Sequence, residues 1–103
     1  MPVALDIDWQ TLCPTKQEII NKATSRTKAV IFSYTYGKRY NIEQLAKLCK
    51  SLGMHILEDA NEAFSGVRYH GSPCADMTMF SFGMLKHFTA FGGSVSILRF
   101  QDD

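Results

Sequence analysis

The side chains best placed to do chemistry are Glu58 and Asp59 at the end of "HILEDA", Ser81 in "MFSF", and Lys86 in "FGMLKHF". In parallel α/β sheets, ligands sit outside the carboxyl ends of the strands, so residues that finish strands are the first candidates. Asp59 can cap the turn that follows through "ANEAF". It can equally aim a carboxylate at a cationic group of a ligand. Lys86 stands among Phe80, Phe82, Phe88 and Phe91. A lysine in such a segment can extend its ammonium to water. Held among aromatics, it loses proton affinity by desolvation and becomes available as a base or a Schiff-base nucleophile. From the residues alone both pairs of readings stay open.

Other chemistries find little support. His55, His70 and His87 are not at ligand spacing and no acidic cluster joins them, so no metal site is expected. Ser25, Ser33, Ser65 and Ser81 have no adjacent base in sequence, and the glycine spacing fits neither a P-loop nor a dinucleotide fingerprint. Met77, Met79 and Met84 read as core filler. Lysine plus arginine number 11 against 10 acidic residues and are scattered, which argues against a nucleic-acid surface. "MPVALDIDWQ" lacks a basic segment leading into an apolar run, and no long hydrophobic span follows, so neither a secretory signal nor a membrane helix is expected. Cys13, Cys49 and Cys74 are odd in number and far apart. Reduced, mostly buried thiols are expected, which suits the cytoplasm.

The elements that must position these residues follow from periodicity. At 103 residues the chain has room for one small domain and not for two cores. "VALDI" reads as a first strand. Thr15, with Glu18 three residues later, opens a helix through "KQEIINKAT" as a capping box, with Ile19, Ile20 and Ala23 on one face. "KAVIFSY", residues 28–34, is a continuous β-branched and aromatic run, expected to be a strand covered on both faces. A turn at Gly37 leads to Asn41, which opens a second helix with an apolar stripe of Ile42, Leu45, Ala46, Leu48, Cys49 and Leu52, closed by Gly53. Residues 54–60 form the next strand, "GVRYHG" a small hairpin, and "DMTMFSF" and "GGSVSILRF" two further strands. Strand–helix–strand alternation favours a parallel sheet with right-handed crossovers.

Taken together, "TKAVIFSYTYG", "GMHILEDANEAFSGVRYHG" and "DMTMFSFGMLKHFTAFGG" resemble, in order and spacing, the core of the DegT/StrS family of sugar aminotransferases. The resemblance runs from about Val3 to Phe100. It implies an α/β fold: part of the large domain of the fold type I pyridoxal-phosphate transferases, mostly parallel with a final antiparallel strand. Residues 1–103 would be a portion of that cofactor-binding domain, without the small C-terminal domain. By resemblance Lys86 is the Schiff-base lysine, Asp59 the carboxylate paired with the pyridine nitrogen, and Ser81 a ligand of the cofactor phosphate. Glu62 stands where the family commonly has a glutamine at the cofactor, and His87 where asparagine is frequent. The implied cofactor is pyridoxal 5'-phosphate. The implied partners are an amino donor such as glutamate, a nucleotide-linked keto-sugar, and a second subunit in a homodimer.

Family members are several times longer, with an upstream glycine/threonine segment for the phosphate, so the 103 residues alone are expected to be nearly inactive. Three alternatives accompany this reading: a lyase, isomerase or dehydratase on the same fold; a truncated homologue serving as an interaction partner; and a receiver-like module using Glu58, Asp59 and Lys86. The last lacks an early acidic pair and a helix after every strand.

Overall fold

A computed structural model describes residues 1–86 and 89–99. Its centre is a four-stranded sheet in the order β3 (Ala29–Ser33), β4 (His55–Asp59), β5 (Met77–Ser81), β6 (Ser94–Leu98). The first three are parallel, and β6 runs antiparallel to β5 after the Gly92–Gly93 turn. A two-residue ladder, β1 (Ile7–Asp8) with β2 (Cys13–Pro14), precedes it. The expected strand at residues 3–7 is therefore reduced to its end. Asp8 fixes where β1 stops: its carboxylate accepts the N–H groups of Gln10 and Thr11, closing the turn that leads into β2.

Helix α1 (Lys16–Lys22) begins where Thr15 accepts the Glu18 N–H at 3.1 Å. The reciprocal half of the capping box is not made, because the Glu18 carboxylate instead accepts the Asp6 N–H at 3.0 Å and ties the N-terminal segment to the helix. Ile19 is buried, whereas Ile20 faces out. Helix α2 (Glu43–Ser51) follows Asn41, whose side chain accepts the Glu43 N–H. It buries Leu45, Ala46 and Cys49, and Gly53 ends it at φ +74°. Leu52, expected on that stripe, is largely exposed.

Alternation along the strands divides the sheet into two unlike faces. Val30, Phe32, Ile56, Glu58, Thr78 and Phe80 point to the covered side and join the core with Ile19, Ile42, Ala46 and Cys49. On the other side the cross-strand row Ile31, Leu57, Met77 and Leu98 is at most half-buried, with Ile31 and Leu98 each 57% exposed. The expectation that residues 28–34 are covered on both faces fails here, because among the described residues both helices pack on one face. Met77 and Met79 accordingly line the open side, and Met84 is exposed, so none of the three fills the core. "GVRYHG" makes turns and no hairpin: the Tyr69 N–H closes onto the Gly66 carbonyl.

Candidate active site

The register of the sheet decides which chemistry-bearing side chains meet. Ser33, Asp59, Met79 and Ser96 form one cross-strand row, and Ser81, paired with Ser94, lies one step beyond on the same face. Asp59 and Ser81 thus occupy neighbouring parallel strands at their carboxyl ends, on the side that the helices leave uncovered. A sequence reading anticipates the strand ends. The shared face follows only from the register, since a one-residue slip would send one of them to the other side.

Asp59 is half-buried and held on both flanks. Its Oδ1 accepts the Asn61 N–H at 3.1 Å, and Ser33 Oγ lies 3.5 Å from Oδ2. The turn-capping role is therefore real, yet a carboxylate has about four acceptor sites, so these contacts leave room for a donor from a ligand. The carbonyl of Asp59 accepts the Tyr34 N–H, and the Ala60 N–H binds the Met79 carbonyl, which anchors the strand end on both sides.

Lys86 follows β5 in a turn closed by its own N–H on the Gly83 carbonyl at 3.0 Å. Its side chain is half-buried, and no ion pair joins it to another described residue. The register thus brings Asp59 and Ser81 to one face, with Lys86 five residues after Ser81 and not ion-paired with Asp59. Glu62 is exposed, and its Oε2 accepts the Tyr36 N–H at 2.9 Å. Tyr36 sits at φ +57°, and an added Cβ on Gly37 would come within 2.8 Å of the Glu62 carbonyl, so Glu62 holds the Thr35–Gly37 turn closely. His87 lies outside the described residues.

Glu58 takes the opposite direction from Asp59 and is completely buried. The phenol of Tyr34 donates to its Oε1, while Thr78 Oγ1 and the Ser72 N–H donate to Oε2, each at 2.7 Å. Burial, and then the Glu58 carboxylate, push the Tyr34 hydroxyl far above the ordinary phenol range, so it remains a donor. Sequence reading marks Glu58 as a strand-end acid without showing that it points inward. Alternation against Ile56 is the signal that reveals it. A cavity of about 280 Å³, lined by Tyr34, Arg39, Tyr40, Asn41, Tyr69 and Ser72, adjoins these partners instead of the Asp59 face. Among the described residues no group of three His, Cys, Asp or Glu side chains is arranged to hold a metal ion.

The sequence model of the DegT/DnrJ/EryC1/StrS aminotransferase family matches residues 1–99. GDP-perosamine synthase of Escherichia coli O157:H7 is 33% identical over 91 residues, covering 88% of this chain and 23% of that protein. The crystal structure of DesI in the presence of its TDP-sugar product superposes with a TM-score of 0.79 at 30% identity, over 94% of this chain and 25% of that one. NtdA of Bacillus subtilis, with bound cofactor PMP, superposes with a TM-score of 0.79 at 26% identity, over 94% and 22%. The chain spans about a quarter of the length of the curated relatives it matches. No helix among the described residues is long and apolar enough to cross a membrane.

Proposed function

The chain belongs to the DegT/DnrJ/EryC1/StrS aminotransferase family, and we propose that it carries the cofactor-facing strand ends of a pyridoxal-phosphate enzyme. In this reading the enzyme moves an amino group from an amino acid such as glutamate to a nucleotide-linked keto-sugar. The observation that carries it is the shared open face of Asp59 and Ser81, with Lys86 five residues further on. The donor set suits the group: a carboxylate with spare acceptor capacity and a hydroxyl on one uncovered face, and a primary amine five residues further on.

When bound, pyridoxal phosphate supplies an aldehyde carbon and a protonated ring that accepts an electron pair. The chain's residues would do the rest. Asp59 holds a proton on the ring nitrogen by opposing its charge. At about 4 Å and an effective dielectric near 20, such a contact contributes roughly 4 kcal/mol before desolvation, enough to move a proton affinity by whole units. Ser81 donates its hydroxyl to a phosphate oxygen. Lys86 would hold the cofactor through Nζ and would supply the amine that moves a proton at the reacting carbon. Glu62 already has one carboxylate oxygen engaged by the Tyr36 N–H. A carboxylate near the ring's phenolic oxygen would be repulsive, so its service is to the turn first.

We further propose that these 103 residues alone hold only part of the site and turn over far below the rate of the longer relatives. Dimerisation and the choice of sugar belong to the same proposal. The test is to add pyridoxal phosphate, reduce with borohydride and map the modified peptide. Label concentrated on Lys86 and lost in K86R supports the reading. Label spread evenly over the exposed lysines contradicts it.

A further inference from the structure

The buried carboxylate of Glu58 is used by nothing in that chemistry, yet it gathers more of the strand ends than any residue facing the open side. Tyr34, just past β3, gives it a phenol; Thr78 of β5 gives it a hydroxyl; Ser72, from the connection between β4 and β5, gives it a backbone N–H. All three partners donate, which suits a group that only accepts when ionised. A positive charge reaches the cluster through Thr78, whose Oγ1 also accepts from Arg99 Nη1 at 2.9 Å. Arg99 in turn binds the carbonyls of His70 and Ala75, drawing the end of β6 onto the same connection.

Two details tie this cluster to Asp59. Tyr34 donates its phenol to Glu58 and its backbone N–H to the Asp59 carbonyl, so one residue grips both neighbours, one through its side chain and the other through its main chain. Gly71, at φ +85°, lets the connection approach closely: an added Cβ would stand 2.6 Å from Glu58 Oε2 and closer still to the Thr78 hydroxyl. Adjacent residues of a strand share one peptide unit, so fixing Glu58 on the covered face also fixes where Asp59 emerges on the open face.

We propose that Glu58 is a positioning residue, whose buried hydrogen bonds to Tyr34, Ser72 and Thr78 hold the end of β4 so that the Asp59 carboxylate keeps its place. The assignment of Asp59 to a cofactor rests on the preceding reading; the clamp itself does not. The grip on Asp59 is local, so its loss should appear in the native state as loosening at the strand ends rather than as uniform destabilisation.

The experiment is residue-resolved amide exchange on the full chain, together with the Asp59 carboxyl carbon resonance, in E58M, E58Q and Y34F. E58M, which removes every acceptor, is expected to speed exchange at the Tyr34 and Ala60 amides at least about tenfold more than at Ala46 and Cys49 of α2, and to shift the Asp59 resonance. E58Q keeps an oxygen for Ser72 and Thr78 and turns its amide toward the Tyr34 oxygen, so exchange should return to within about threefold of the parent. If E58M does not fold, Y34F decides: losing only the hydroxyl, it should loosen the amides of residues 34 and 60 ahead of α2. Equal acceleration at the strand ends and at α2, or an unmoved Asp59 resonance, overturns the proposal. Failure of cofactor capture at Lys86 with the local loosening present would refute the functional reading and leave the clamp standing.

Discussion

Asp59 and Ser81 lie at the carboxyl ends of adjacent parallel strands and face the same uncovered side of the sheet. This pairing sets apart the open face, proposed to meet the cofactor, from the covered face that holds the fold together. Substitutions on the two faces should therefore have different consequences.

Asp59→Asn tests the open face. It keeps an acceptor for the Asn61 N–H and alters a half-buried group, so unfolding free energy should change by less than about 1 kcal/mol. Cofactor capture should nevertheless weaken, and the ultraviolet-visible spectrum of the captured cofactor should move toward the form with an unprotonated ring. A large loss of stability with unchanged capture would reverse the assignment.

Two neighbours on β3 test the one-sided burial. Phe32 is 1% exposed and Ile31 57%. Urea unfolding should show Phe32→Ala costing roughly 3–5 kcal/mol, whereas Ile31→Thr should stay within about 0.5 kcal/mol. Similar costs at both positions would mean that the chain in solution covers both faces.

Gly71→Ala places a methyl against Glu58 and Thr78 at a positive φ. Overpacking of this kind costs about 1–3 kcal/mol, and the left-handed backbone adds to it. Gly53→Ala is the control, since nothing lies within 4 Å of its added Cβ although its φ is also positive. Chemical denaturation should rank Gly71→Ala as the more damaging; equal effects would show that the backbone conformation alone matters.

The Glu43–Lys47 pair on α2 gives a pH dependence of known sign. The Lys47 hydrogen bond and charge, 2.9 Å away, hold the Glu43 carboxyl below its ordinary value, and Glu43 holds the Lys47 ammonium above its own. Glu43's contribution is complete above its unfolded value and is lost as pH falls through the lower folded one. Lys47's is complete below its unfolded value and is lost as pH rises through the higher folded one. Both groups are at the surface, so the effect should be small and fade with salt. Stability curves of E43Q and the parent should converge at acid pH; a difference that persists there would contradict the pair's role.

Much of this was legible in the residues. Thr15, Asn41 and Gly53 mark the helix ends, and Asp59 and Ser81 read as residues that finish strands, whereas their grouping with Lys86 rests on the family resemblance. What periodicity does not carry is the covering of a strand by distant elements: Ile31 reads as interior because β-branched runs usually are, and only the placement of α1 and α2 shows its face open. Glu18 is a similar case, where a tertiary partner, the Asp6 N–H, outcompetes the local cap. Glu58 and Asp59 are adjacent acids in sequence, and the strand's alternation gives them opposite environments.

The most direct test of the central claim is the fate of pyridoxal phosphate at Lys86. After borohydride reduction of the parent chain, mass spectrometry should find the label predominantly on the peptide containing Lys86, reduced in D59N and lost from that peptide in K86R. Label distributed without preference among Lys16, Lys22, Lys38, Lys47 and Lys50, unaffected by either substitution, would contradict the account.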